Sequence, residues 1–264
     1  MSELTNRKRL NQIRMSVVLV VLCLCFAFGN VVYAQVERCQ YNETDIEPVN
    51  GIWVLKSTKQ PVNGVVCSYY SYFTDVRLRW ETPFKDGKIN GIYRDYWENG
   101  GLYAEISYKD GKREGILRLY SPGGGTLRFE STNKNDKAEG LARWYFENGR
   151  LQSEVTFKGG KREGLERWYF ENGRLQSEIS YKNGIREGIA RRYFESGKLQ
   201  NEASFKNDKL EGHEQRYTET GQLQMRILWR NGEPISGTCG DGRTLTNAEL
   251  INHKNGHPVS CVIQ

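Results

Sequence analysis

The stretch GLERWYFENGRLQSEISYKNGIREG, Gly164 to Gly188, decides the fold because the chain repeats it. From Gly140 the sequence reads GLARWYFENGRLQSEVTFKGGKREG, and from Gly188 it reads GIARRYFESGKLQNEASFKNDKLEG. Two glycines mark each copy, one at Gly91, Gly115, Gly140, Gly164, Gly188 and Gly212, the other at Gly100, Gly124, Gly149, Gly173, Gly197 and Gly221. These define six units at spacings of 24 or 25 residues. Between the glycines lie short runs such as LERWYF and LQSEISY, of strand length and rich in aromatic and β-branched residues. Each unit therefore reads as a β-hairpin plus a connecting turn, and a period in this range signals a repeat array.

The short turn sets which side chains share a face. Asn172-Gly173 alone would fit a two-residue type I′ turn, but the residue before the glycine varies from Asn99 to Gly123, Ser196 and Thr220, and a β-branched Thr resists φ > 0. A three-residue loop, type I followed by a left-handed glycine in a bulge, fits better. In that register Trp168 opposes Gln176, and Tyr169, Leu175, Ile179 and Tyr181 share one face. The expected fold is all-β, an elongated single-layer antiparallel meander in which tyrosine, leucine and isoleucine stack from unit to unit. Twelve strands would make a ribbon of roughly 55–60 Å.

The pattern Gly164, Tyr169, Gly173, Leu175, Glu178, Tyr181 resembles the MORN-repeat variant of YwqK-type antitoxin-like proteins. The resemblance covers about residues 58–237, with a degenerate opening unit at Pro61 to Phe84. It implies a single-layer hairpin array that binds partners, which in the wider family are proteins or membrane phospholipids. Unit two departs from the pattern: YSPGGGTL, Tyr120 to Leu127, is one residue longer than YFENGRL. Ser131 and Asn133 stand there in place of Ile179 and Tyr181, which interrupts the aromatic face, with Phe129 available to fill part of the gap or leave a notch.

The termini place the chain in the cell. Arg7, Lys8, Arg9 and Arg14 precede a 12-residue apolar run, Val17 to Phe28, and Val32-Tyr33-Ala34 supplies small residues for cleavage. Residues 1–34 are therefore expected to be a signal peptide, directing export to the periplasm or beyond. A spanning helix would want about 20 apolar residues. Losing this segment removes four basic and one acidic side chain and lowers the net charge from +6 to +3, too little to argue for nucleic acid.

Four cysteines then remain, Cys39 and Cys67 before the regular repeats and Cys239 and Cys261 after them. An even count in an exported chain reads as disulfides, and the local pairings Cys39–Cys67 and Cys239–Cys261 would staple the two ends. A zinc site of Cys239, His253, His257 and Cys261 is the alternative for the second pair. The domain plan is a signal (1–34), an N-terminal cap with the degenerate repeat (35–83), six repeats (84–237) and a C-terminal cap (238–264).

Function is expected where units differ. One face carries Tyr93, Asp95 and Trp97, then Ala142, Trp144 and Phe146, then Glu166, Trp168 and Phe170, then Ala190, Arg192 and Phe194. The apolar members form a band rimmed by charge, the composition of a protein interface, although cross-strand aromatic pairs also hold a single-layer sheet together. Glu105, Glu130, Glu154, Glu178 and Glu202 are placed on the same face as solvated or Arg-paired groups. The KREG segments, with Lys112-Arg113, Lys161-Arg162, Arg186 and Lys209 in the connecting turns, would line one edge with mixed charge, suited to anionic lipid or an acidic protein.

Enzyme motifs are missing from the sequence: it contains no GxSxG and no HExxH, and Gly123-Gly124-Gly125 is followed by neither lysine nor helix. Asn42-Glu43-Thr44 is a formal glycosylation sequon. The expectation is a non-enzymatic exported repeat protein without a cofactor that binds a partner protein, with an immunity or antitoxin role as its most specific form. A module on an anionic membrane surface and a zinc enzyme at the C-terminal cap are the alternatives.

Overall fold

A computed structural model describes residues 38–71, 75–122 and 125–261, so the expected signal segment lies outside the described residues. Unit four shows how the sequence folds. Its strands Lys161–Tyr169 and Leu175–Lys182 run antiparallel. The Phe170 amide donates to the Arg174 carbonyl and the Gly173 amide to the Phe170 carbonyl, both at 2.8 Å, while Gly173 sits at φ +86°. The Asn172 side-chain oxygen accepts from the Arg174 amide at 2.9 Å. This is the expected three-residue loop with a left-handed glycine.

A second bulge follows one residue later and changes the register. Tyr169 pairs with Leu175, but Trp168 pairs with Ser177 and not with Gln176, which is left as the extra residue. Beyond the bulge the second strand is inverted relative to the sequence expectation. Ile179 and Tyr181 therefore lie on the face of Trp168 and Glu166, while Glu178 lies with Tyr169 and Arg167. The same shift recurs in the other five units.

Successive units are joined by two-residue turns. Asn183 and Gly184, at φ +54° and +85°, link the paired Lys182 and Ile185 as a type I′ turn would. The KREG residues thus belong to strands, Lys161 to Gly164 opening Lys161–Tyr169, and not to connecting turns. Glu163 reaches across to accept the Asn183 amide at 2.8 Å, and Glu139, Glu187 and Glu211 cap neighbouring turns likewise.

Hairpin follows hairpin in one long sheet, from Gly64–Ser71 through to Glu233–Cys239. Both ends are covered. At the N-terminal end Tyr41–Asn42 adds in parallel beside Val66 and Cys67, and a separate hairpin, Ile46–Val49 with Ile52–Leu55, contributes Ile46 to a core with Val62, Val66 and Phe84. At the other end the helix α1, Asn247–Lys254, starts at a Thr246 cap reciprocated by Glu249. It packs Leu250 with Leu245, Met225, Ile227 and Trp229. Gly237 permits that approach, since a Cβ there would lie 2.8 Å from Leu245 and 3.1 Å from Leu250.

The disulfides Cys39–Cys67 and Cys239–Cys261 staple these caps as expected. They point to an oxidising compartment outside the cytoplasm. Among the described residues no helix is long and apolar enough to cross a membrane.

Candidate functional site

The two faces of the sheet differ in chemistry. On one, a single cross-strand row alternates charge: Glu81, Arg94, Glu105, Arg118, Glu130, Arg143, Glu154, Arg167, Glu178, Arg191 and Glu202. The guanidinium of Arg191 bridges Glu202 at 2.6 Å and Glu178 at 3.1 Å, and Arg94 spans Glu81 and Glu105 at 2.9 Å each. The repeat tyrosines add a third partner, with Tyr145 donating to Glu130 at 2.8 Å and Tyr169 to Glu154 at 3.1 Å. The Tyr145 hydroxyl, with Arg143, holds the Glu130 carboxyl below the ordinary range in spite of its partial burial. Burial, then Glu81, pushes Tyr96 up to about 12. The recurrent glutamates are thus neutralised in a structural ladder, on the face opposite the tryptophans.

Beside the ladder run two further rows. Ile92, Ile116, Leu141, Leu165 and Ile189, one in each of units one to five, are 36–43% exposed. Nearer the type I′ turns, lysines face each other directly as Lys85–Lys88, Lys109–Lys112, Lys134–Lys137, Lys158–Lys161 and Lys206–Lys209. No ion pair engages these lysines among the described residues, because the nearby glutamates accept turn amides and Asp136 and Asp208 hold Arg113 and Arg186. Like charges placed opposite one another repel, so this row favours an anionic neighbour.

The opposite face is bounded by the caps, which both pack on it. Trp144, Ser153, Trp168, Ser177, Arg192, Asn201 and Arg216 succeed one another across its strands. Small residues between the large ones are closed off: Ala142, Ser153 and Val155 are each 1% exposed. Towards the C-terminal cap an open groove of about 920 Å³ is lined by Trp168, Ile179, Arg192, Phe194 and Phe205, with Gln176, Gln200 and Gln224 along it. Arg186 lies over the Phe205 ring at 4.4 Å from its centre.

Glu214 closes the groove. It is buried, yet four donors satisfy it: Trp229 Nε1 at 3.0 Å, Arg216 Nε at 3.1 Å, Asn201 Nδ2 at 3.2 Å, and His253 Nε2 of α1 at 3.0 Å. Burial raises its carboxyl, but the hydrogen bond and charge of His253, with Arg216, outweigh that and hold it at about 2. The residue anchors the helical cap to the sheet.

Of the residues singled out in the sequence, Trp168, Arg192 and Phe194 meet in the groove, and Trp144 lies two strands away in the same row. Phe146 and Phe170 hold the turn-closing position that Phe194 holds in unit five. Trp97 is apart, its ring 4.5 Å from Tyr103. In unit two Phe129 does pack into the irregularity, 4.9 Å from the Trp144 ring, and Ser131 and Asn133 are buried.

The zinc alternative is overturned. Cys239 and Cys261 share a disulfide and so offer no thiolate, and His253 Nε2 is bonded to Glu214. His257 has no such company: among the described residues no group of three or more His, Cys, Asp or Glu is placed to hold a metal. The groove glutamines were missed, although a Leu-Gln pair recurs after the short turn in units three to six.

An open array of hairpin repeats, one layer thick between stapled caps, is the class of protein that this architecture defines. Residues 89–110, 138–158, 162–183, 186–207 and 210–231 match the family model described as MORN repeat variant, and the chain belongs to that family. The stretch passed over between 110 and 138 is the irregular unit two. MORN repeats generally bind proteins or membrane lipids.

No match was found among curated proteins. Among solved structures, a point mutant of S. aureus TarM in complex with fondaparinux, alpha-GlcNAc-glycerol and UDP is 13% identical, over 37% of this chain and 19% of that chain, with a TM-score of 0.26. A second TarM crystal structure is 15% identical, over 36% and 20%, with a TM-score of 0.25. The chain spans about a fifth of the length of either. Likeness at that level carries no argument.

Proposed function

We propose that the chain is an exported, non-enzymatic binding module that holds a partner protein on the sheet face between its caps, in the periplasm or outside the cell. The observation that carries this reading is the groove at Trp168. An indole 38% exposed beside Arg192 and Phe194, framed by buried small residues, has the composition of an interface core and no structural task as visible as that of the ladder face. An immunity or antitoxin role is the specific form that the family resemblance favours. Stoichiometric capture of one envelope or secreted protein by the wild-type chain, weakened about tenfold or more by Trp168→Ala, is the expected result. Equal capture by the variant would remove this face from the account.

A second reading rests on the other face. Exposed Ile92, Ile116, Leu141, Leu165 and Ile189 beside the paired lysines form an apolar and basic surface suited to an anionic bilayer. Sedimentation with anionic vesicles, lost at high salt and on Leu165→Ser, is what this reading requires.

A further inference from the structure

We propose that the groove of units four to six is a docking track for an extended polyproline II segment of the partner, three residues per hairpin unit. This rests on the reading that a partner protein binds the groove face, and it names what that partner presents. Gln176, Gln200 and Gln224 occupy the bulge position of three successive units and line the groove. A bulge re-aims the side chain of its extra residue. None of these three amides has a hydrogen-bond partner among the described residues, although each is partly buried.

Spacing selects the occupant. Equivalent positions in successive hairpins lie two strands apart, about 9.6 Å. A polyproline II helix repeats every three residues, about 9.3 Å, and so presents the same edge to each unit. An α-helix, at about 5.4 Å per turn, does not keep step with the array, nor does a strand at about 6.7 Å per two residues.

The chemistry agrees with the period. A polyproline II backbone has no internal hydrogen bonds, so its carbonyls seek donors, which the glutamine amides supply. Trp168, Phe194 and Phe205 give the flat aromatic surfaces on which prolines pack. Charge sets one further requirement. Among the described residues that line the groove Glu214 is the one carboxylate, and it is occupied by four donors, whereas Arg192 is exposed and without an ion pair among the described residues. The segment therefore carries an acidic residue against Arg192.

Calorimetric titration of the purified chain with peptides of about twelve residues tests this, using Pro-Pro-Glu, Gly-Gly-Glu and Pro-Pro-Lys repeats. Pro-Pro-Glu is expected to bind saturably and at least about tenfold more tightly than either of the others. Gln200→Ala and Arg192→Ala should each weaken it about fivefold or more, with unchanged melting temperatures, and Leu165→Ser on the opposite face should not. Equal binding of Gly-Gly-Glu, indifference to Gln200→Ala, or no saturable binding at all would overturn the track. If the track fails while partner capture still requires Trp168, the broader reading of the face stands; if capture ignores Trp168 as well, both fall.

Discussion

Glu214 is the side chain on which the C-terminal cap depends. Its folded carboxyl titrates at about 2 against an ordinary 4.5, so its stabilisation is complete above about 4.5 and is lost as the pH falls towards 2. The shift corresponds to about 3 kcal/mol, and thermal melts from neutral pH downwards should show it. The wild type is expected to lose stability steeply below the upper value, while Glu214→Gln starts lower and falls less; parallel curves would contradict the assignment. Sequence reasoning could not single out Glu214, because its position is filled by Ala142, Glu166 and Ala190 in other units and its partners Trp229 and His253 are 15 and 39 residues away. The disulfides were easier to read, since an even count of cysteines flanking a repeat array leaves few local pairings.

Within a hairpin, glycine and charge do different work. Gly173 has nothing within 4 Å of where a Cβ would stand, so Gly173→Val should cost only its left-handed backbone, about 1–2 kcal/mol by urea denaturation. Gly173→Asn should cost less. Losses equal for the two would place the penalty in packing instead. In the ladder, Arg167→Glu would set carboxylates at three successive positions with Glu154 and Glu178, and a destabilisation of about 1 kcal/mol that shrinks in high salt is expected.

The loop was legible because its glycine recurs, and Gly100, Gly149, Gly173, Gly197 and Gly221 all take the left-handed backbone that favours glycine. The bulge at Gln176 was not, because that position demands no residue type: Tyr103, Arg128 and Gln152 stand in the equivalent places. One unread residue moved the glutamates to the other face. The same lack of constraint lets the bulge position vary towards a ligand.

At the scale of the molecule, an open array must protect its ends, since an unpaired strand invites further pairing. The caps meet this need and also frame the binding face. Reducing Cys239–Cys261, which closes 22 residues of sequence, should lower stability by about 3 kcal/mol, and hydrogen exchange should rise first in α1 and in Glu233–Cys239. Uniform loss of protection across all units would instead mean that the array unfolds as one body. The overall architecture was legible at this scale because repetition fixes it six times over, whereas the chemistry of the faces depends on a register that repetition does not reveal.

The most direct test of the account is a comparison of three baits, the wild-type chain, Trp168→Ala and Leu165→Ser, in quantitative affinity capture from envelope and secreted fractions. The prediction is one protein retained near equimolar ratio by the wild type and by Leu165→Ser and lost with Trp168→Ala. Retention by Trp168→Ala with loss on Leu165→Ser would contradict it and place binding on the aliphatic and lysine face.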